Sequence, residues 1–460
     1  MPLPKPWALP KPKKLNDEEA RALVEGARDL CDLTVNGLDK MVEDNIRRNR
    51  MSNVRLEIYD KEGNELKDAD VHIEQKSHEF KFGCNAFLAD DLGSDEKNAE
   101  YERIFKDVFN QAVVPFYWKD DEPQKDEWRF TKDAPYIYRR PPAEVMLDFC
   151  ERTGCEPKGH NLVWPSTAGT PSWMGNDKRE NGIAVENRIK LLAEKFADKI
   201  PVWDVTNEFI GAQSGLYKFP DDIDIRAWEM ANELFNQNNL IINDFQCLFQ
   251  PNSYLGKKSA FYLQIEKLLA KGLRVDGIGM QVHMFHNEDA LLTDEPLKLT
   301  AEHMIKMIDT YSALGKDIHI SEITIPSYDG RDEYLELQNI ITENLYKLWF
   351  SMEKVKSIVW WNLVDNTAIQ LSPNAPFDEN YFGGGLLKDD FTKKPAFNTV
   401  ERLINKEWHT SLDIRTNAKG YTSFSGFNGE YEVTIKKGAD KAVRAINVSK
   451  DNPLITIMLD

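Results

Sequence analysis

Residues 202–208 read Val-Trp-Asp-Val-Thr-Asn-Glu, and this stretch decides the fold. It is short, rich in β-branched and aromatic residues, and gathers its polar groups at the C-terminal end. A helical pattern follows at 225–236, and the same phrase recurs along the chain. Short runs at 80–86, 112–118, 156–164, 202–207, 240–244, 275–283, 317–324 and 357–365 alternate with helical stretches such as 143–153, 184–197, 257–271, 301–314 and 332–353. Strands buried on both faces read as continuous apolar runs, and an intervening helix forces successive strands to pair in parallel. Eight such units fit a closed (β/α)8 (TIM) barrel, whereas a doubly wound sheet more often uses fewer strands. The expected barrel occupies residues 79–408.

Outside that span the periodicity changes. Residues 1–50 combine a Pro/Lys arm with a helical stripe that starts at Asn16-Asp17-Glu18-Glu19, where acidic side chains favour a first turn, and runs to about Asn49. From Val54 the period becomes two: Val54, Leu56 and Ile58, then a turn at Gly63-Asn64, then Val71 and Ile73. The C-terminus behaves alike, with Leu412, Ile414, Tyr431, Val433, Ile435, Ile446 and Ile457 on alternating runs between Gly/Asn/Asp turns. An isolated N-terminal hairpin is marginal, so 51–78 and 409–460 are expected to build one small accessory β-sandwich from both ends of the chain. Tyr421, Phe424 and Phe427 are its candidate ligand-facing aromatics, against a plain scaffolding role.

Composition narrows the partners. With 58 Lys+Arg against 76 Asp+Glu in 460 residues, the net charge of −18 disfavours nucleic acid and anionic membrane surfaces, both of which are held by clustered cations. The first residues carry proline and lysine but no apolar core of a secretory signal, so the expectation is a cytoplasmic chain or one whose signal was removed. Cys31, Cys84, Cys150, Cys155 and Cys247 include no C-x-x-C pair and are odd in number, which points to reduced, buried thiols.

In such a barrel chemistry collects where strands end, and polar residues fall there repeatedly. Gly159-His160-Asn161 and Trp164 close strand three; Asn207-Glu208 close strand four; Asn243-Asp244 close strand five. Gln281 and His283 end strand six, Glu322 and Thr324 strand seven, and Trp361, Asn362 and Asp365 strand eight. A lone strand-end carboxylate more often caps the next helix, but six strands feeding one rim form a constellation. Glu208 and Glu322, on strands four and seven, face each other across the barrel mouth, as the acid and the anion of glycosidic bond cleavage must. Asn207 is placed to bond a sugar hydroxyl, His283 to hold Glu322, and Trp164 and Trp361 to pack on sugar rings. Two other readings are weaker. His283-Met-Phe-His286 lacks a nearby third metal ligand, and Gly383-Gly384-Gly385 suits a turn better than a phosphate cradle. Trp203 reads as core, and Trp360 as pointing away from the lumen.

These motifs resemble glycoside hydrolase family 10, the retaining β-glycanases typified by endo-1,4-β-xylanases. Gly159-His-Asn-Leu-Val-Trp164 is similar to that family's G-H-T-L-V-W, and Trp203-Asp-Val-Thr-Asn-Glu208 to its W-D-V-V-N-E. Gly277-Ile-Gly-Met-Gln-Val-His283 matches G-I-G-x-Q-x-H, and Ile320-Ser-Glu-Ile323 matches I-T-E-L. The resemblance implies Glu208 as acid/base and Glu322 as nucleophile, no cofactor, and a β-linked polysaccharide or oligosaccharide as partner. By the same resemblance Lys119, His160, Trp164, Asn207, Gln281, His283 and Trp361 line the subsite of the reacting sugar. The chain departs from the pattern on strand two: A-E-N-E-M-K-W is replaced by Val114-Pro-Phe-Tyr-Trp-Lys-Asp120. Pro165 stands where a second histidine usually follows the tryptophan, Thr324 replaces an aspartate behind the strand-six histidine, and Ile369 falls near a second roof tryptophan. The implied activity is endo-cleavage of xylan. The alternatives are a related enzyme for another or substituted β-glycan, and a carbohydrate-binding protein on an inactive barrel.

Overall fold

The computed structural model describes residues 14–210, 213–245, 251–291, 299–369 and 378–459. The chain begins with α1 (Asp17–Cys31), whose start is fixed by a capping box in which Asn16 accepts from the Glu19 amide while the Glu19 side chain accepts from the Asn16 amide. Ala20, Leu23, Val24, Ala27 and Cys31 form its buried stripe, at helical spacing. The stripe expected to run unbroken to Asn49 is divided: Asp32 accepts from the Thr34 and Val35 amides, Gly37 adopts φ 68°, and α2 (Asp39–Arg50) starts afresh. A side chain that offers the backbone a turn competes with helix, and Asp32 does so here. Both helices lie against the long helix Asp332–Ser351, with Arg28 on Glu336 (2.7 Å) and the Leu33 amide on Asn344 (3.0 Å) joining α1 and its end to it.

Strands β1 (Met51–Tyr59) and β2 (Asp70–His78) precede the barrel. The barrel strands are β3 (Lys81–Asn85), β4 (Gln111–Pro115), β5 (Glu156–Val163), β6 (Val202–Asn207), β7 (Asn239–Asp244), β8 (Gly277–His283), β9 (Asp317–Thr324) and β10 (Val355–Trp360). All neighbours pair in parallel, and β10 closes on β3 through Ser357–Lys81 to Trp360–Cys84. The closed eight-stranded barrel expected from the alternation is therefore present. Trp203 is fully buried, and the Trp360 indole turns outward to donate to the Gly384 carbonyl (2.9 Å), as the sequence implied.

After the barrel come β11 (Ser411–Arg415), β12 (Tyr421–Phe427), β13 (Gly429–Lys437), β14 (Asp440–Val448) and β15 (Leu454–Met458). They join β1 and β2 in two sheets, ordered β12-β1-β15 and β11-β2-β13-β14. Val54, Leu56, Val71, Ile73, Val433, Ile435 and Ile457 fill the space between them. Phe424 and Phe427, expected as possible glycan platforms, are buried, because strand alternation puts Phe424 on the inner face. Tyr421 is covered by the Arg55 guanidinium, 3.9 Å from its ring. Cys31, Cys84, Cys150 and Cys155 are buried free thiols, and Cys247 lies outside the described residues. No helix among the described residues is long and apolar enough to cross a membrane.

Candidate active site

Parallel pairing aligns all eight strand ends on one rim, and the polar residues there meet. Glu208 follows β6 with φ 51°, a left-handed conformation that costs an L-residue energy and is held by its amide bonding the Asn243 carbonyl (2.9 Å). Its Oε1 accepts from Gln281 Nε2 (3.1 Å) and its Oε2 from the Trp164 indole (2.9 Å). Burial first, then the charge of Glu322, push the Glu208 carboxyl up to about 8, against the smaller opposing pull of those hydrogen bonds. The group remains partly open to the rim.

Glu322 is more enclosed, at 4% exposure, and is gripped from two sides. Asn243 Nδ2 donates to its Oε1 (2.8 Å), and His283 Nε2 to its Oε2 (3.0 Å). The other ring nitrogen of His283 meets Thr324 Oγ1 at 2.9 Å, so the threonine that replaces the family's aspartate still fixes the imidazole. Asn207 ties the two carboxylates together. Its Oδ1 accepts from both Asn243 (2.9 Å) and Gln281 (3.2 Å), which orients its Nδ2 as a donor with no hydrogen-bond partner among the described residues.

His160 is set from below. Asp204 Oδ2 lies 2.8 Å from His160 Nδ1 and 3.0 Å from Lys158 Nζ, and all three side chains are buried. Burial alone raises the Asp204 carboxyl, but the Lys158 ammonium and the His160 contact outweigh it and hold the group below its ordinary value. The carboxylate thereby fixes the ring so that Nε2 faces the rim. Trp361 packs edge-on to both His160 (5.6 Å between centroids) and His283 (6.0 Å), which makes it the wall between them.

Two glycines let these groups approach. A Cβ on Gly159 would lie 2.4 Å from the Trp203 ring, and one on Gly279 would lie 2.3 Å from Asn243 Oδ1. The glycines of both motifs are therefore spatial requirements of the site, since neither position leaves room for a methyl group.

The structure brings Glu208, Glu322, His160, Trp164, Asn207, Gln281, His283 and Trp361 into one network of contacts. Lys119 does not join it. The strand was read as running to residue 118, but β4 ends at Pro115, and Lys119 is exposed on the short helix Trp118–Asp121. Tyr117 takes the rim position instead, with its ring 5.7 Å from His160 and 5.4 Å from Trp164. Asn243 and Asp204 are the other members that carried no assigned role. Register offered a signal for Asp204, because it pairs directly with His160 on the neighbouring strand, two residues beyond Lys158 on the same face. Among the described residues no cluster of three His, Cys, Asp or Glu side chains is placed to hold a metal. The Gly383–Gly385 turn is occupied by the buried Lys394 ammonium, which donates to the carbonyls of Gly383 (2.8 Å) and Gly385 (2.9 Å).

The model of glycosyl hydrolase family 10 matches residues 74–403. This chain belongs to that family. The matched span contains the whole barrel. Among curated proteins it is 26% identical to the anti-sigma-I factor RsgI6 of Acetivibrio thermocellus over 84% of this chain and 45% of that one. It is 24% identical to endo-1,4-beta-xylanase 2 of Arabidopsis thaliana, over 96% of this chain and 39% of the relative. The chain thus spans about half or less of the length of the first of these relatives. Among solved structures, xylanase 10B of Thermotoga petrophila in complex with xylobiose shares the fold, with a TM-score of 0.56, 24% identity, and coverage of 72% of this chain and 95% of that one.

Proposed function

We propose that this family 10 glycoside hydrolase cleaves β-1,4-xylosidic bonds in xylan with retention of configuration, Glu322 serving as nucleophile and Glu208 as acid/base. The observation that carries the reading is the unequal environment of the two carboxyls. Glu208 is raised to about 8 and so holds a proton at neutral pH, while Glu322 accepts from Asn243 and His283. Two carboxyls driven apart in this way take the two roles of a double displacement.

In the first step a Glu322 oxygen bonds the anomeric carbon as the glycosidic bond breaks, and the Glu208 proton passes to the leaving oxygen. In the second, the Glu208 carboxylate takes a proton from water as that water attacks the same carbon and frees Glu322. The unused Nδ2 of Asn207 is positioned for the 2-hydroxyl, where a hydrogen bond strengthens as positive charge develops on the sugar. Xylan as substrate is supported by the relatives, several of which are endo-1,4-beta-xylanases.

Reducing-sugar release from xylan by wild type, Glu208→Ala and Glu322→Ala tests the assignment. Both variants should lose at least about 10²–10⁴-fold in kcat, the usual worth of a positioned acid or base. Near wild-type turnover in either one removes its residue from the mechanism. A second reading, a β-glycan other than xylan, is favoured by Pro115 and Phe116 standing in place of the family's strand-two Glu-Asn pair, with the Tyr117 ring on the rim beside them. A panel of mixed-linkage and substituted glycans decides between them, and binding of all without hydrolysis would identify an inactive barrel.

A further inference from the structure

Glu208 protonates the leaving oxygen in the proposed reaction, so the aglycone lies on the β6 side and the glycone extends toward the opposite rim. Around the barrel β10 stands opposite β6, flanked by β9 and β3, with β4 next to β3. There the loop after β4 reaches across to the segment after β10. Arg139, with φ 60°, donates from Nη1 to the Thr367 carbonyl (2.6 Å) and from Nη2 to Asn362 Oδ1 (2.7 Å). Tyr138 adds a second bond to the same Thr367 carbonyl (3.0 Å), and Asp91, from the loop after β3, accepts from the Arg139 amide (2.9 Å). Arg139 is 3% exposed.

Beneath this bar lies an aromatic floor. The guanidinium carbons of Arg139 and Arg140 each sit 5.5 Å from the Phe87 ring, and Phe87 packs on Trp361 (5.3 Å) and Tyr117 (5.7 Å). Arg140 covers the Tyr117 ring at 3.8 Å and is anchored by Asp120 (2.9 Å). Tyr117, which touches His160 and Trp164, is thus backed directly by Arg140 and, through Phe87, by Arg139, and the two buried cations are locked to three different loops. The Arg139 guanidinium, bonded to two acceptors at that burial, is a fixed part of the wall, because breaking those bonds would strand a buried charge.

Resting on the proposed hydrolase reading, we infer that the Arg139 bar closes the glycone end of the cleft, so that the enzyme removes one or two sugars from the non-reducing end of β-1,4-xylo-oligosaccharides. This differs from the internal cleavage that the family resemblance implies. Arg139 and Arg140 are then specificity-determining residues that set how much sugar fits beyond the cleaved bond.

Xylohexaose labelled at its reducing end reads this directly. Wild type should give unlabelled xylose or xylobiose as first products, with the label on the complementary longer fragment. Unlabelled trisaccharide or longer among the first products overturns the inference. Arg139→Gly removes the lock while suiting the positive φ, and should raise the share of those longer unlabelled fragments about tenfold. Asn362→Gly, which removes the acceptor at another positive-φ position (73°), is a second route to the same opening. An unchanged pattern in folded variants of both also overturns it. An aryl β-xylobioside separates the two levels: its hydrolysis alongside internal cuts in xylohexaose sinks the closed end alone, whereas no turnover of either substrate sinks the hydrolase reading with it.

Discussion

At the scale of single residues the proposed chemistry turns on the placement of protons. Glu208 is raised to about 8 in the folded chain by burial and by Glu322, against about 4.3 for an unperturbed glutamate. The folded state therefore binds this proton more tightly than the unfolded chain does. Its contribution to stability is most favourable below the unfolded value and declines as pH rises toward about 8. The first chemical step needs that proton, so kcat/KM should fall on an alkaline limb with an apparent pKa near 8. A flat profile through pH 9.5 would contradict the assignment of Glu208 as the acid. Glu208→Gln keeps an acceptor for Trp164 and drops the buried charge. At pH 9 it should melt a few degrees above wild type while having lost activity, and a lower melting point would show that the anion stabilises the fold. Asn243→Ala removes donors from both Glu322 and Asn207. At about 1.5–3 kcal/mol for a hydrogen bond to a charged group, kcat should drop roughly 10- to 150-fold in steady-state assays with little change in KM.

At the scale of elements, the number of strands and the gathering of polar groups at their ends were legible because burial on both faces and the βα alternation leave a plain record in sequence. The end of β4 was not. Residues 112–118 are apolar or aromatic throughout, so periodicity carried no mark where extended backbone gave way to the turn before Trp118. Pro115, with no amide hydrogen to continue a ladder, was the one available signal for that end, whereas Lys119 rests on the resemblance of its motif alone. Lys119→Ala should accordingly leave kcat/KM within about twofold, as surface substitutions away from a site do. Asp204 and Asn243 act through other side chains, and such support becomes visible only when strands are set in register. The Gly279 motif position belongs to the same level. Gly279→Ala would drive a methyl group into Asn243, costing about 1–3 kcal/mol in thermal unfolding and misplacing the amide that holds Glu322. Unchanged stability and rate would mean that β7 and β8 can separate freely.

At the scale of the whole molecule, the two chain ends need each other. β1 pairs with β12 and β15, and β2 with β11 and β13, so removing 409–460 strips both N-terminal strands of these partners. Val54, Leu56, Ile58, Val71 and Ile73 would be exposed together, each forfeiting about 1.5–3 kcal/mol of burial. The truncated chain should aggregate or melt well below the full chain by calorimetry; a soluble product with unchanged melting would make the sandwich dispensable. The alternating pattern at each end foretold this sheet pairing, but the burial of Phe424 and Phe427 followed from which face turned inward, which composition alone could not show. The charge of −18 suits a neutral glycan chain as substrate. Retention of configuration by the full chain is read out by proton NMR of xylopentaose hydrolysis. The newly formed reducing end should appear first as the β-anomer and only later equilibrate with the α-form. Initial release of the α-anomer would contradict the double displacement through Glu322.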